Sequence, residues 1–283
     1  MTMRESLQGK VVVVTGGARG IGLATAHALA ARGARVVIGD LDADAARRAA
    51  KDVGSDALGM SLDVTDHAGF TGFLDTVERE VGTIDVLINN AGIMPVALLH
   101  NESDETTYRI LDINVAAVIH GTRDAMRRMM PRRTGHIVNI ASVAGKVGVA
   151  AGATYCASKF AVVGLCEAVR QELRGSGVEI SCVMPTIVRT ELSAGFAQTR
   201  LSSQVEPYDV AAAIVDALET KRFEVWVPRH LGVVDRVTRA LPRRVGEWML
   251  RASRSDRLMS DAADSPARAE YERRAAASAP PRR

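Results

Sequence analysis

Short runs of β-branched residues recur along this chain, separated by longer helix-patterned stretches, and that alternation restricts the fold more than any other feature. The runs are KVVVVT, ARVVIGD, DALGMSLD, IDVLINNAG, GHIVNIAS, VEISCVMP and FEVWVP. Regular strand–helix alternation gives parallel strands with helices on both faces. A strand covered on both faces is apolar throughout, as VVVV is. The expected fold is therefore α/β, a doubly wound, mostly parallel sheet of about seven strands with a short helical C-terminal extension.

At 283 residues and 47% hydrophobic content the chain can bury one large core, so residues 1–228 are read as one domain holding any active site. From 229 the strands stop and arginines dominate. Val234, Val237, Leu241, Val245 and Trp248 are spaced by three or four, with Arg236, Arg239, Arg243, Arg244 and Arg251 between them, and Pro242 divides the pattern into two short helices. This segment, 229–270, either packs on the domain or a second subunit, or rests peripherally on anionic lipid through 229–257. Residues 271–283 have the composition of a disordered tail. Three cysteines and six scattered histidines lack metal-ligand spacing, so no metal site is expected. A net charge of +3 does not call for nucleic acid. The first residues hold only a short apolar run, and the expected location is cytoplasmic, with peripheral membrane association as the alternative.

The first chemical motif is TGGARGIG, Thr15 to Gly22, between the first strand and the following helix. Glycines allow a sharp turn and close backbone approach, and a helix N-terminus attracts anions, which together outline a dinucleotide phosphate site. The outline of such a site makes the sheet Rossmann-like. Asp40 ends the second strand, where an acidic residue meets the adenosine ribose in such folds. A carboxylate there repels a 2′-phosphate, so NAD is the expected cofactor. Arg19 in the loop could meet that phosphate and keeps NADP as the alternative.

TYCASKFAVVG places Lys159 four residues after Tyr155, on one helix face; none of the other three tyrosines has a cation at that spacing. A phenol titrates near pH ~10, and lowering it to neutrality requires about 4 kcal/mol. One cation at ~4 Å in an effective dielectric of ~20 supplies a comparable amount. Lys159 alone is expected nearly to suffice for making Tyr155 an acid/base at neutral pH, with the positive oxidised nicotinamide adding to it.

Together these residues resemble the short-chain dehydrogenase/reductase family over about residues 9–228. Thr15, Gly16, Gly20 and Gly22 match its phosphate loop, Asp63–Val64 its adenine contact, Asn89–Gly92 the turn after its fourth strand, and Asn114, Ser142, Tyr155 and Lys159 its catalytic tetrad. Pro185 is followed by Thr186 where the family often has Gly. The resemblance implies cofactor contacts from Thr15, Gly16, Arg19, Gly20, Ile21, Gly22, Asp40, Asp63, Val64, Asn90, Ala91, Gly92, Tyr155, Lys159, Pro185, Val188 and Thr190. It implies hydride exchange between nicotinamide and substrate carbon, with Tyr155 exchanging the proton, Ser142 bonding the reacting oxygen, and Asn114 anchoring water in a relay to Lys159. It also implies a homodimer or homotetramer paired through the helices bearing Asn114 and Tyr155. A nucleotide-sensing regulator on the same fold would not need all four tetrad residues.

The substrate segments IMPVALL, VAGKVGVAAGA and TELSAGF are small and apolar, suggesting a hydrophobic secondary alcohol or ketone contacting Met94, Ser142, Val149, Tyr155, Leu192 and Phe196. Lys146 reads as a solvated loop charge. The stretch TELSAGFAQTRLSSQVEPYD reads as a mobile loop.

Overall fold

Consecutive valines need apolar cover on both sides, and β1 (Val11–Thr15) has it in the interior of the sheet. The computed structural model describes residues 4–54, 56–196, 204–242 and 265–278. Its seven strands are β1, β2 (Arg35–Asp40), β3 (Leu58–Ser61), β4 (Ile84–Asn89), β5 (Gly135–Ile140), β6 (Val178–Pro185) and β7 (Glu224–Val227). All run parallel, in the order β3-β2-β1-β4-β5-β6-β7.

Alternation along β1 divides the core in two. Val11 and Val13 face a layer built on α3 (His67–Glu80), α5 (Ala117–Met129) and α6 (Ala153–Glu172), with Phe70, Phe73, Val118 and Val162 packed together. Val12 and Val14 face α1 (Gly20–Ala30), α2 (Ala43–Val53) and α7 (Pro207–Thr220), through Leu29, Ala46, Ala50 and Ile214. Strand order reverses between β1 and β4, and ligands of open α/β sheets bind outside the carboxyl ends at such a switch.

The stretch expected as one helix through Asn114 is divided. α4 (Asp104–Leu111) leads into a π-helical turn, Asp112–Ala116, and only then into α5. Single π turns in helices gather at functional sites.

The extension differs from the expectation. α8 (Leu231–Ala240) forms, and Val233, Val234 and Val237 on it are exposed. The second helix expected beyond Pro242, with Arg243, Arg244, Val245, Trp248 and Arg251, lies outside the described residues, as does the side chain of Arg239. The disordered tail expected from 271 is corrected: residues 271–276 belong to α9 (Pro266–Ala276), and Tyr271 and Ala275 are buried. Pro266 at the first turn and an Arg268–Glu272 pair at i,i+4 favour this helix. Most of the loop expected to be mobile, 197–203, lies outside the described residues, but Val205 bridges to Val188. No helix among the described residues is long and apolar enough to cross a membrane.

His136 on β5 is buried with its Nε2 2.8 Å from Ser181 Oγ, and burial depresses its pKa to about 3. The folded protein therefore keeps it neutral while the unfolded chain protonates it below its ordinary value of ~6.5. Its contribution is complete above that value and lost as pH falls toward 3. Urea midpoints should decline from neutral pH toward about pH 4, and His136→Gln should flatten the decline; an unchanged slope would contradict this.

Candidate active site

Thr15 joins the glycine loop to the end of β4. Its Oγ accepts the N–H groups of Asn90 (3.0 Å) and Ala91 (3.1 Å), while Asn90 Nδ2 donates to the carbonyls of Thr15 (2.9 Å) and Gly16 (3.0 Å). Gly16 has φ +60°, and a Cβ on it would lie 2.9 Å from Ala91 Cα. A Cβ on Gly22 would lie 2.5 Å from the Gly16 carbonyl, so only glycine lets α1 start this close to the loop. The first turn of α1 has no side-chain cap, leaving backbone N–H groups for an anion. Asp40 accepts the Ala18 N–H at 3.1 Å and closes the loop on the β2 side.

The tetrad converges past the ends of β4 and β5. Tyr155 is buried close to the Ser142 hydroxyl. Ser142 accepts the Ala144 N–H at 3.1 Å, capping a short 3₁₀ turn that fixes its position. Lys159 Nζ lies 5.8 Å from the Tyr155 ring centroid and donates to the Ile140 carbonyl at 2.8 Å. Asn114, on the π turn, is fully buried. Its Oδ1 accepts the Ile93 N–H (2.9 Å), and its Nδ2 donates to the Ile93 carbonyl (2.8 Å) and Ser158 Oγ (3.1 Å).

Burial works against the lowering expected from Lys159 and an oxidised nicotinamide. Burial pushes Tyr155 up to about 12, against a smaller lowering by Ser142, and Lys159 is itself pulled down to about 8 by burial. The chain's own residues hold the phenol protonated.

One cavity of about 1290 Å³ connects the parts, lined by Gly16, Arg19 and Asp40 at one end and Ser142, Tyr155 and Lys159 further in. Ile21, Asp63, Val64, Gly92, Pro185, Val188 and Thr190 also line it. Thr15 and Gly22, expected at the cofactor, stand behind the wall and brace it, as does Asn114, expected as a water anchor. Around the phenol, Met94 and Phe196 form an apolar cluster with Tyr155, and Val149 and Leu192 pack against it. Lys146, expected to be solvated, is half-buried and paired with Glu167 at 3.2 Å.

A family model described as short chain dehydrogenase matches residues 10–201. The chain belongs to the short-chain dehydrogenase family. It is 36% identical over 217 residues to a 3-alpha-(or 20-beta)-hydroxysteroid dehydrogenase of Mycobacterium tuberculosis, covering 75% of this chain and 84% of that one. It is 35% identical over 188 residues to the 3-oxoacyl-[acyl-carrier-protein] reductase of Escherichia coli, covering 66% and 77%. A short-chain dehydrogenase/reductase from Burkholderia phymatum, crystallised in complex with NAD, superposes with a TM-score of 0.77 at 28% identity, covering 83% and 95%. A short-chain dehydrogenase binds a nicotinamide dinucleotide, and the uncapped helix end, glycine contacts and Asp40 fit that group.

Sequence reasoning missed the groups that the C-terminal extension of this short-chain dehydrogenase brings to the cavity. Leu231 and Val234 of α8 and Tyr271, Arg274 and Ala275 of α9 all line it. The Tyr271 hydroxyl accepts the Met94 N–H at 2.7 Å. The available signals were good helix formers after Ser265–Pro266 and a lone aromatic within a charged run.

Asn114→Leu should leave the Ile93 N–H and carbonyl unpaired in the interior and lower unfolding free energy by about 1–3 kcal/mol, read from urea titration. A stability unchanged from the parent protein would show that Asn114 does not brace this turn.

Proposed function

We propose that this short-chain dehydrogenase transfers hydride between NAD(H) and a hydrophobic secondary alcohol or ketone, with Tyr155 as the general acid/base. The observation that carries this reading is a buried phenol beside Ser142 and Lys159, in a cavity that also takes in the glycine loop and an apolar cluster. When bound, the nicotinamide supplies or accepts the hydride and, oxidised, adds positive charge beside the phenol.

The chain's residues do the remaining work. A phenol kept protonated is ready to donate to a ketone oxygen as negative charge develops there. Ser142 stands beside the phenol and supplies a second hydroxyl for the same oxygen. Lys159, with its pKa lowered to about 8, is a proton source of suitable strength below Tyr155. A water relay from Asn114 would have to use groups other than its side-chain amide, which is satisfied by Ile93 and Ser158.

NAD is favoured over NADP by the charges around the ribose end. Arg19 faces Asp42 at 3.7 Å and Glu191 at 3.6 Å, so its guanidinium already meets carboxylates, and Asp40 at the same end would repel a 2′-phosphate. For the substrate, Met94, Val149, Leu192 and Phe196 favour an uncharged apolar molecule. The relatives named for hydroxysteroid and 3-oxoacyl chemistry act on such groups by their names, which supports the same class here. A second copy of this chain is the proposed partner, across the exposed Ile119 of α5 and Phe160 of α6.

Tyr155→Phe should retain NADH binding in fluorescence titration and lose about 10²-fold or more of kcat; retained turnover refutes the assignment. Asp40→Ala should shift the NAD-to-NADP preference in kcat/KM by roughly tenfold or more toward NADP, and an unmoved ratio removes Asp40 from cofactor selection.

A further inference from the structure

Arg268 is the largest fully buried side chain among the described residues, at 1% exposure, and it stands on a helix with no hydrophobic stripe. Burying a guanidinium demands a full set of acceptors. Arg268 Nε donates to Glu272 (2.8 Å), Nη1 to the carbonyls of Leu192 (2.8 Å) and Ala194 (3.3 Å), and Nη2 to the carbonyl of Met94. Its plane lies 5.2 Å from the Phe196 ring centroid and 4.7 Å from that of Tyr271. Tyr271 accepts the Met94 N–H at 2.7 Å, and Glu272 accepts that of Val96 at 3.2 Å. These main-chain contacts fall on the two loops that supply the apolar substrate residues Met94, Leu192 and Phe196. Arg274 adds an ion pair to Glu191 at 2.6 Å.

Of α9, Arg274, which is paired with Glu191, lines the cavity together with the Tyr271 ring and Ala275, and the last two are buried. Tyr271 and Tyr155 line the same cavity, and both phenols are buried.

Building on the proposed reaction, we propose that α9 is the end wall of the substrate pocket, with Tyr271 and Ala275 setting the length of apolar substrate accepted and Arg268 positioning the wall against both substrate loops. Enlarging the wall at Ala275 should exclude long substrates and trimming it at Tyr271 should admit them. A methylene at such a wall changes discrimination by roughly tenfold or more.

The test uses the full chain with straight-chain methyl ketones of increasing length and saturating NADH, and the matching secondary alcohols with saturating NAD. Two readouts are taken: binding by the fluorescence of Trp226, which lines the cavity, and turnover by NADH absorbance. Tyr271→Ala should shift the preferred length upward and Ala275→Leu downward, each by roughly tenfold in the long-to-short ratio of KM, with NADH affinity retained. Arg268→Met should erase length discrimination and Arg268→Lys should restore part of it. The shift in length preference separates a wall from a general packing role, which would lower stability without reordering substrates. Identical length profiles in all variants, or no length dependence in any of them, overturn the proposal. If Tyr155→Phe kept full turnover while the length profiles shifted, the acid/base reading would fail and the wall would stand.

Discussion

Because all seven strands run the same way, their carboxyl ends form a single edge, and every group of the site has to come from the connections leaving it. The glycine loop follows β1, Asp40 ends β2, Gly92 and Met94 follow β4, Ser142 follows β5 and Thr190 follows β6. Reversal of strand order between β1 and β4 opens the crevice at that edge. Thr15, behind the cavity wall, and Asn90, in its lining, fasten the two sides of the crevice together.

At the phenol, burial and charge oppose one another. A rise from ~10 to about 12 is worth roughly 3 kcal/mol. A full ammonium charge ~6 Å away, at an effective dielectric of ~20, is worth about the same. Lys159 could at most return Tyr155 to its ordinary range, and burial weakens Lys159 as an ammonium. In the proposed reaction, a protonated Tyr155 suits ketone reduction, whereas alcohol oxidation needs further positive charge beside it. The i,i+4 spacing gave the proximity of Lys159 to Tyr155, but the depth of burial that opposes it cannot be read from spacing.

The sheet was legible because its strands are apolar runs bounded by turn residues, and the site because its glycines, Asp40 and the Tyr155–Lys159 pair have few alternative explanations. The π turn at Asn114 left no mark, since Asp112–Ala116 continues a good helical pattern and the change is one of backbone bonding. α9 was missed for a different reason. Its inward residues are an arginine, a tyrosine and an alanine, held by polar bonds to main chain, and hydrophobic periodicity cannot register such a face. Composition alone, rich in Ala, Arg and Glu and followed by prolines, suggested a tail.

The central claim is that this chain holds Tyr155 as a protonated donor until positive charge arrives beside it. A tyrosinate absorbance titration, taken as the difference between the parent protein and Tyr155→Phe, tests it most directly. The account predicts no Tyr155 tyrosinate below about pH 10 in the protein alone, and its appearance at lower pH with saturating NAD. Tyrosinate from Tyr155 near neutral pH in the protein alone would contradict it.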